Sequence, residues 1–213
     1  MNPDLLILLE GLLFILLFGG LPMLRREGLS LQLAVEVLVL TALTLGIALS
    51  TGFRLSPVVF LVLLYVVVMR SRVLIDLGNL LSSRGRHQQA LTAYRLSMKL
   101  WPDVPVRLLA LTSYGAVLVR MGALEEAVRI LEGVLEQAER LQPKQESACH
   151  YNLGVACLRL GQDARAVLEF NQTIDSWPLS PYAQYAKAAL KKRQSERGSA
   201  QKPASVDAEV DES

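Results

Sequence analysis

At 213 residues the chain has room for one or two domains, and with 52% apolar residues and a mean hydropathy of +0.33 it is too apolar for an ordinary soluble protein. A net charge of +2, without basic runs interleaved with aromatics, argues against nucleic-acid binding. Residues 1–70 carry four Arg against four acids, residues 71–193 sixteen Lys/Arg against eleven, and residues 194–213 two against five, so the chain divides into an apolar half, a mildly basic half and a short acidic tail.

The apolar half reads as membrane spans, each needing about 20 mostly apolar residues. "LLILLEGLLFILLFGGLPML" (5–24) and "LSLQLAVEVLVLTALTLGIAL" (29–49) meet that length. The third, placed at about 55–70, contains "SPVVFLVLLYVVVM", with Ser56 at the N-cap and Pro57 opening the helix. No Lys or Arg precedes the first run and no small-residue cleavage site follows it, so it is not read as a signal peptide. Arg25, Arg26, Arg70 and Arg72 fall on one side of three spans and Arg54 on the other. The excess places the N-terminus outside and the second half in the cytoplasm.

Glu10 and Glu36 are ionisable residues inside apolar spans and therefore candidates for function. The spans run antiparallel, which puts Glu10 toward the outer face and Glu36 toward the inner one, near Arg25 and Arg26. A separation of about 10 Å or more along the membrane normal argues against a shared proton or ion site. Contact with another membrane protein is favoured over a role in a transport or translocation complex. After Pro57 neither proline nor glycine occurs before Gly78, so one helix is expected from Pro57 to about residue 84, without a hinge where the third span ends.

The second half repeats. Residues 71–104, 108–141 and 147–180 align as three stretches of 34 without gaps. Gly recurs at the eighth position (Gly78, Gly115, Gly154) and the fifteenth (Gly85, Gly122, Gly161). Ala recurs at the twentieth (Ala90, Ala127, Ala166) and a bulky residue at the twenty-fourth (Tyr94, Leu131, Phe170). Pro at the thirty-second is kept as Pro102 and Pro178, with Glu139 between them. Small residues at eight and twenty let two antiparallel helices approach, and the bulky residue fills the space between them. Gly at fifteen ends the first helix in a left-handed conformation. "PVR" (105–107) and "QPKQE" (142–146) serve as linkers, and "SPYAQYAKAALKKR" (180–193) looks like a closing helix capped by Ser180.

This pattern resembles the tetratricopeptide repeat family across residues 71–180. The resemblance implies an all-α fold. Three N-terminal transmembrane helices (1–70) would be followed by an α-solenoid of three helix pairs with a capping helix (71–195) and a disordered acidic tail (196–213). It also implies a concave groove that holds a segment of a protein partner. The groove-lining positions of the family fall here on Arg72, Asn79, Thr112, Arg120, Tyr151, Arg159, Tyr185 and Lys192, among others. The set is basic with aromatic anchors, which suits a mildly acidic protein segment. The clamp by which some members grip a terminal carboxylate is largely absent, because Ile75 and Ala148 occupy two of its positions. The layout is also similar to tetratricopeptide proteins that assist photosystem I assembly in thylakoids, where the repeats would lie on the stromal side.

Nothing points to an enzyme, a cofactor or a small-molecule substrate. His87 and His150 are the only histidines and stand apart from any ligand-spaced cluster. Cys149 and Cys157, eight residues apart on one predicted helix, are about 12 Å apart and do not form a disulfide.

Overall fold

The computed structural model describes residues 3–20, 31–52 and 55–200. Among these the fold is all-α. Helices α1 (Pro3–Phe14), α2 (Leu31–Thr51) and α3 (Pro57–Ser83) come first, and α1 continues into a π-helical stretch over Ile15–Gly20. Six helices follow: α4 (His87–Lys99), α5 (Val104–Met121), α6 (Leu124–Leu135), α7 (Pro143–Arg159), α8 (Asp163–Ser176) and α9 (Pro181–Ala200). A 3₁₀ turn, Ala138–Arg140, sits between α6 and α7. Arg25, Arg26 and Arg54, on which most of the orientation argument rests, lie outside the described residues. So do the ends of the first two expected spans and residues 201–213.

Helices α2 and α3 are long and apolar enough to cross a membrane, and α1 adds a shorter apolar run, Leu5–Leu17. These helices meet through a small core of Ile7, Phe14, Val37, Phe60 and Leu64. Gly11 lets α1 approach α2 closely, since a Cβ there would stand 2.6 Å from Thr41 Oγ1. Most of their remaining apolar side chains, such as Leu12, Leu43 and Val62, point outward. Helix α5 has similar length and composition, but half of it is buried in the helical stack that follows. Its apolarity builds a core.

The expected continuous helix is present as α3, 27 residues long. Pro57 opens it, although Ser56 makes no side-chain cap. Gly78 does not break it, because the missing Cβ is where Tyr94 of α4 packs. An added Cβ would lie 2.5 Å from that ring. The same contact recurs in register, with Gly115 against Leu131 at 2.7 Å and Gly154 against Phe170 at 2.8 Å. Ala90, Ala127 and Ala166 are fully buried beside them. The chain turns at Gly85, Gly122 and Gly161, whose φ values of 75°, 86° and 75° are left-handed. Three α-hairpins (α3–α4, α5–α6, α7–α8) result, sharing one core with α9 against the last.

Some boundaries differ from the sequence reading. Residues 105–107 and 142–146 are mostly the first turns of α5 and α7, because Pro105 and Pro143 sit at helix starts where no N–H is needed. Ser180 caps α9 as expected, its Oγ accepting from the Ala183 N–H at 2.9 Å. Helix α9 runs to Ala200, beyond the expected end near residue 195. No proline interrupts it before Pro203, and Lys192 faces Glu196 one turn on.

One side chain ties the two halves together. Arg70 of α3 forms a bidentate pair with Glu36 of α2, at 2.7 and 2.8 Å. Its Nε donates to the Leu100 carbonyl at 3.1 Å, in the turn between α4 and α5. Glu36 was expected beside Arg25 and Arg26. Those two arginines lie outside the described residues; among the described ones Glu36 pairs with an arginine 34 residues away that α3 brings alongside α2.

Two predictions follow from this packing. Gly154→Ala pushes a methyl into the rigid Phe170 ring and lowers stability by about 1–2 kcal/mol in thermal melting, whereas Gly133→Ala in α6, with open space around it, raises it by about 0.5–1 kcal/mol. Arg70→Met lowers the stability of the full chain in detergent by about 2–3 kcal/mol. Adding Glu36→Leu recovers part of that loss, because a stranded carboxylate is removed.

Candidate functional site

Helices α3, α5, α7 and α9 are the first helices of successive units and pack side by side, α5 touching α3 and α7, and α7 touching α9. The surface they share is the candidate site. It has three zones.

At the α3–α5 end, Tyr94 Oη donates to Asn79 Oδ1 at 2.8 Å. Burial pushes the Tyr94 phenol up to about 12, and the nearby Arg120 guanidinium pulls in the other direction. It is therefore a neutral hydroxyl at physiological pH. Arg120 Nη1 donates to the buried Ser82 Oγ at 2.9 Å. Arg72 and Asn79 are exposed, whereas Ile75 is fully buried.

In the middle, Arg159 donates to the Val119 carbonyl. Arg120 and Arg159 both occupy the thirteenth position of their repeats, and both reach the twelfth position of the repeat before, Ser82 and Val119. Arg193 of α9 also reaches backward, pairing with Asp163 at the start of α8. These arginines therefore join units, a role the sequence reading missed. The register shared by Arg120 and Arg159, position thirteen of each repeat, was the available signal. Thr112 does not reach the surface: it is buried, and its hydroxyl donates to the Leu108 carbonyl one turn back at 2.9 Å.

At the α7–α9 end, Tyr151 is ringed by Phe170, Tyr182 and Tyr185, with ring centroids 6.0, 5.7 and 5.9 Å away. Burial raises the Tyr151 phenol, helped by the two neighbouring tyrosines. Tyr185 is 57% exposed and presents a broad aromatic face. Lys192 is exposed, with Glu196 3.9 Å from its Nζ, a surface pair of small energetic worth. The structure thus brings Tyr151 and Tyr185 together, and separates them from Arg72 and Asn79 by the width of the stack.

The remaining polar groups are structural in geometry. His150 Nδ1 lies 2.7 Å from Glu169 Oε2, joining α7 to α8. Cys149 is buried, burial holds its thiol far above the usual range, and it donates to the Leu131 carbonyl. Such a thiol is a poor nucleophile. No group of His, Cys, Asp and Glu able to hold a metal occurs among the described residues.

A second concavity, of about 500 Å³, lies between α1 and α3 and is lined by Glu10, Leu13, Phe14, Leu17, Leu61, Val62 and Tyr65. Glu10 Oε2 is buried there and has no hydrogen-bond partner among the described residues. Glu10 and Glu36 are not brought together, since Glu36 is engaged with Arg70.

The model of the tetratricopeptide repeat family matches residues 106–178, about a third of the chain. That segment contains nearly all of α5 and the whole of α6 to α8. No curated protein and no solved structure matches the chain. Helices α3 and α4 lie outside the match but repeat its small-residue contacts in the same register. Residues 106–178 thus match the tetratricopeptide repeat family, a general protein-interaction fold, and they follow an apolar helical N-terminal half.

Proposed function

We propose that the protein is a membrane-anchored scaffold. Its repeats hold a segment of a protein partner on the α3–α5–α7–α9 face, and its apolar helices contact a second membrane protein. The process served is assembly, stabilisation or recruitment of a membrane protein complex. The observation that carries this reading is α3 itself, whose apolar lower part and repeat-forming upper part are one uninterrupted helix. A groove built on that helix has a set height and facing relative to the bilayer. In this reading α1, α2 and the lower part of α3 span the membrane, the N-terminus is outside, and the repeats are cytoplasmic.

The groove chemistry favours a mildly acidic segment with an aromatic or apolar anchor. Arg72 and Lys192 are exposed cations at opposite ends, and Tyr185 offers contact area at low entropic cost. Arg120 and Arg159 are exposed but already donate to neighbouring repeats, so their contribution is shared with stacking. Within the membrane, the concavity at Glu10 supports docking of a partner helix. A buried carboxyl oxygen with no donor among the described residues is costly, and a partner side chain supplies that donor where an acyl chain does not. Transport through Glu10 and Glu36 is the weaker reading, because Glu36 is paired.

Co-purification in gentle detergent from native membranes, followed by mass spectrometry, identifies the partner. With that partner in hand, Arg72→Glu combined with Tyr185→Ala weakens binding at least about tenfold, equivalent to roughly 1.4 kcal/mol, and thermal melting checks that the double variant remains folded. Unchanged affinity in the folded double variant rejects the groove assignment.

A further inference from the structure

We propose that the turns at the base of the repeat stack, residues 100–103 and 177–180, form a second membrane-contact surface that lies in the headgroup region of the bilayer. Trp101, Trp177 and Leu179 are its anchors. The proposal rests on the reading that α3 spans the membrane, and extends it from an anchor to a docked posture.

The chain holds two tryptophans, and both occupy the thirty-first position of a repeat, each followed by proline. The middle repeat has Ala138 and Glu139 there. Trp101 is 83% exposed and Leu179 is 85% exposed. Among the described residues Trp101 is moreover the one non-glycine residue with positive φ, at 50°. A bulky residue held left-handed costs on the order of a kcal/mol, so the turn bears both strain and an indole open to water. Trp is enriched at bilayer interfaces, where its apolar ring and N–H are both satisfied.

Position along α3 gives the height of this turn. Arg70 binds the Leu100 carbonyl at 3.1 Å, and its Nη2 lies 3.5 Å from the Trp101 carbonyl. The turn is therefore level with Arg70. From Pro57 to Arg70 the helix rises only about 20 Å, against a hydrocarbon thickness of about 30 Å. The exposed apolar face of α3 continues past Arg70 with Val73 and Leu77. A bilayer of ordinary thickness thus reaches the level of Trp101 or slightly above it.

The second contact follows from parity. Each hairpin returns the chain to the end at which it began, so the turn after α8 is at the same end of the stack as the turn after α4. That turn is held firmly: Ser180 Oγ accepts from the Ala183 N–H and lies 2.9 Å from Ser147 Oγ, which leaves Leu179 pointing outward on a fixed loop. Two contacts some distance apart seat the stack on the membrane surface and keep it from swinging about α3.

The test uses the full chain in nanodiscs containing phosphatidylcholine brominated high or low on the acyl chain. Trp177→Phe leaves Trp101 as the sole indole, and Trp101→Phe leaves Trp177. The expected result is that both single-tryptophan proteins lose most of their emission to shallow bromines, lose less to deep ones, and resist aqueous acrylamide. Emission from either indole that ignores brominated lipid overturns the proposal, and protection from acrylamide without lipid quenching assigns the turn to a protein contact instead. Val62→Trp in the Trp101→Phe/Trp177→Phe background is the control for the span. Quenching there by deep bromines, with none at Trp101 or Trp177, rejects the docked posture alone, whereas no quenching at residue 62 rejects the span and the posture with it.

Discussion

Arg70 sits where three parts of the chain meet, and the relation of the two halves depends on it. Its guanidinium grips both oxygens of Glu36 on α2, while its Nε holds the Leu100 carbonyl at the foot of the first repeat. Each partner alone would be a poor place for a charge. A carboxylate in an apolar helix needs a cation close by, and a carbonyl at a helix end needs a donor because the helix supplies none. A bidentate fork with a further N–H satisfies both at once. The side chains of Arg70 and Glu36 are only about a quarter exposed, so their attraction is less screened than that of a surface pair.

Above this joint, the register of small and large residues does the architectural work. Gly at position eight faces the bulky residue at position twenty-four in each hairpin, and the alanine at twenty is fully buried. Replacing any of these with a larger side chain separates two helices along their length, because rings such as Tyr94 and Phe170 have no room to retreat. Gly78 shows how context decides a residue's meaning. Inside an exposed helix it would be a weak point worth about 1 kcal/mol; here the lost propensity is repaid by the Tyr94 contact, and α3 continues through it.

Much of this was legible in the sequence because it depends on local spacing. The continuous helix from Pro57, the three left-handed glycines and the paired small and bulky positions all follow from intervals of 34 residues or less within a repeat. The Ser180 cap and Pro181 were equally plain. What was not legible depends on side chains meeting across helices. Glu36 could be placed near basic residues but its pairing with Arg70 could not be read, since it depends on how α2 packs on α3. Thr112 occupies a groove position by register yet is buried, because α5 lies pressed between neighbours on both sides. Arg120 and Arg159 read as ligand-facing charges, and only the stack shows their reach to Ser82 and Val119.

That backward reach changes how the groove responds to a ligand. On the proposed function, an acidic segment in the groove would compete with Ser82 and the Val119 carbonyl for the same guanidinium groups. Arg can serve both, having five donors in a planar fork, so binding need not break the ties, but it draws them toward the ligand. Affinity in the groove and the angle between successive repeats are therefore linked, and by thermodynamic reciprocity whatever stiffens the stack alters binding. The first repeat is the least free to adjust, since α3 is held by Glu36 below and Tyr94 beside it. At the far end α9 closes the stack through Tyr182 and Tyr185 against Tyr151, and Arg193 pairs with Asp163 of α8. The two ends of the groove thus differ in chemistry, with the exposed amide of Asn79 at one and the exposed Tyr185 ring at the other.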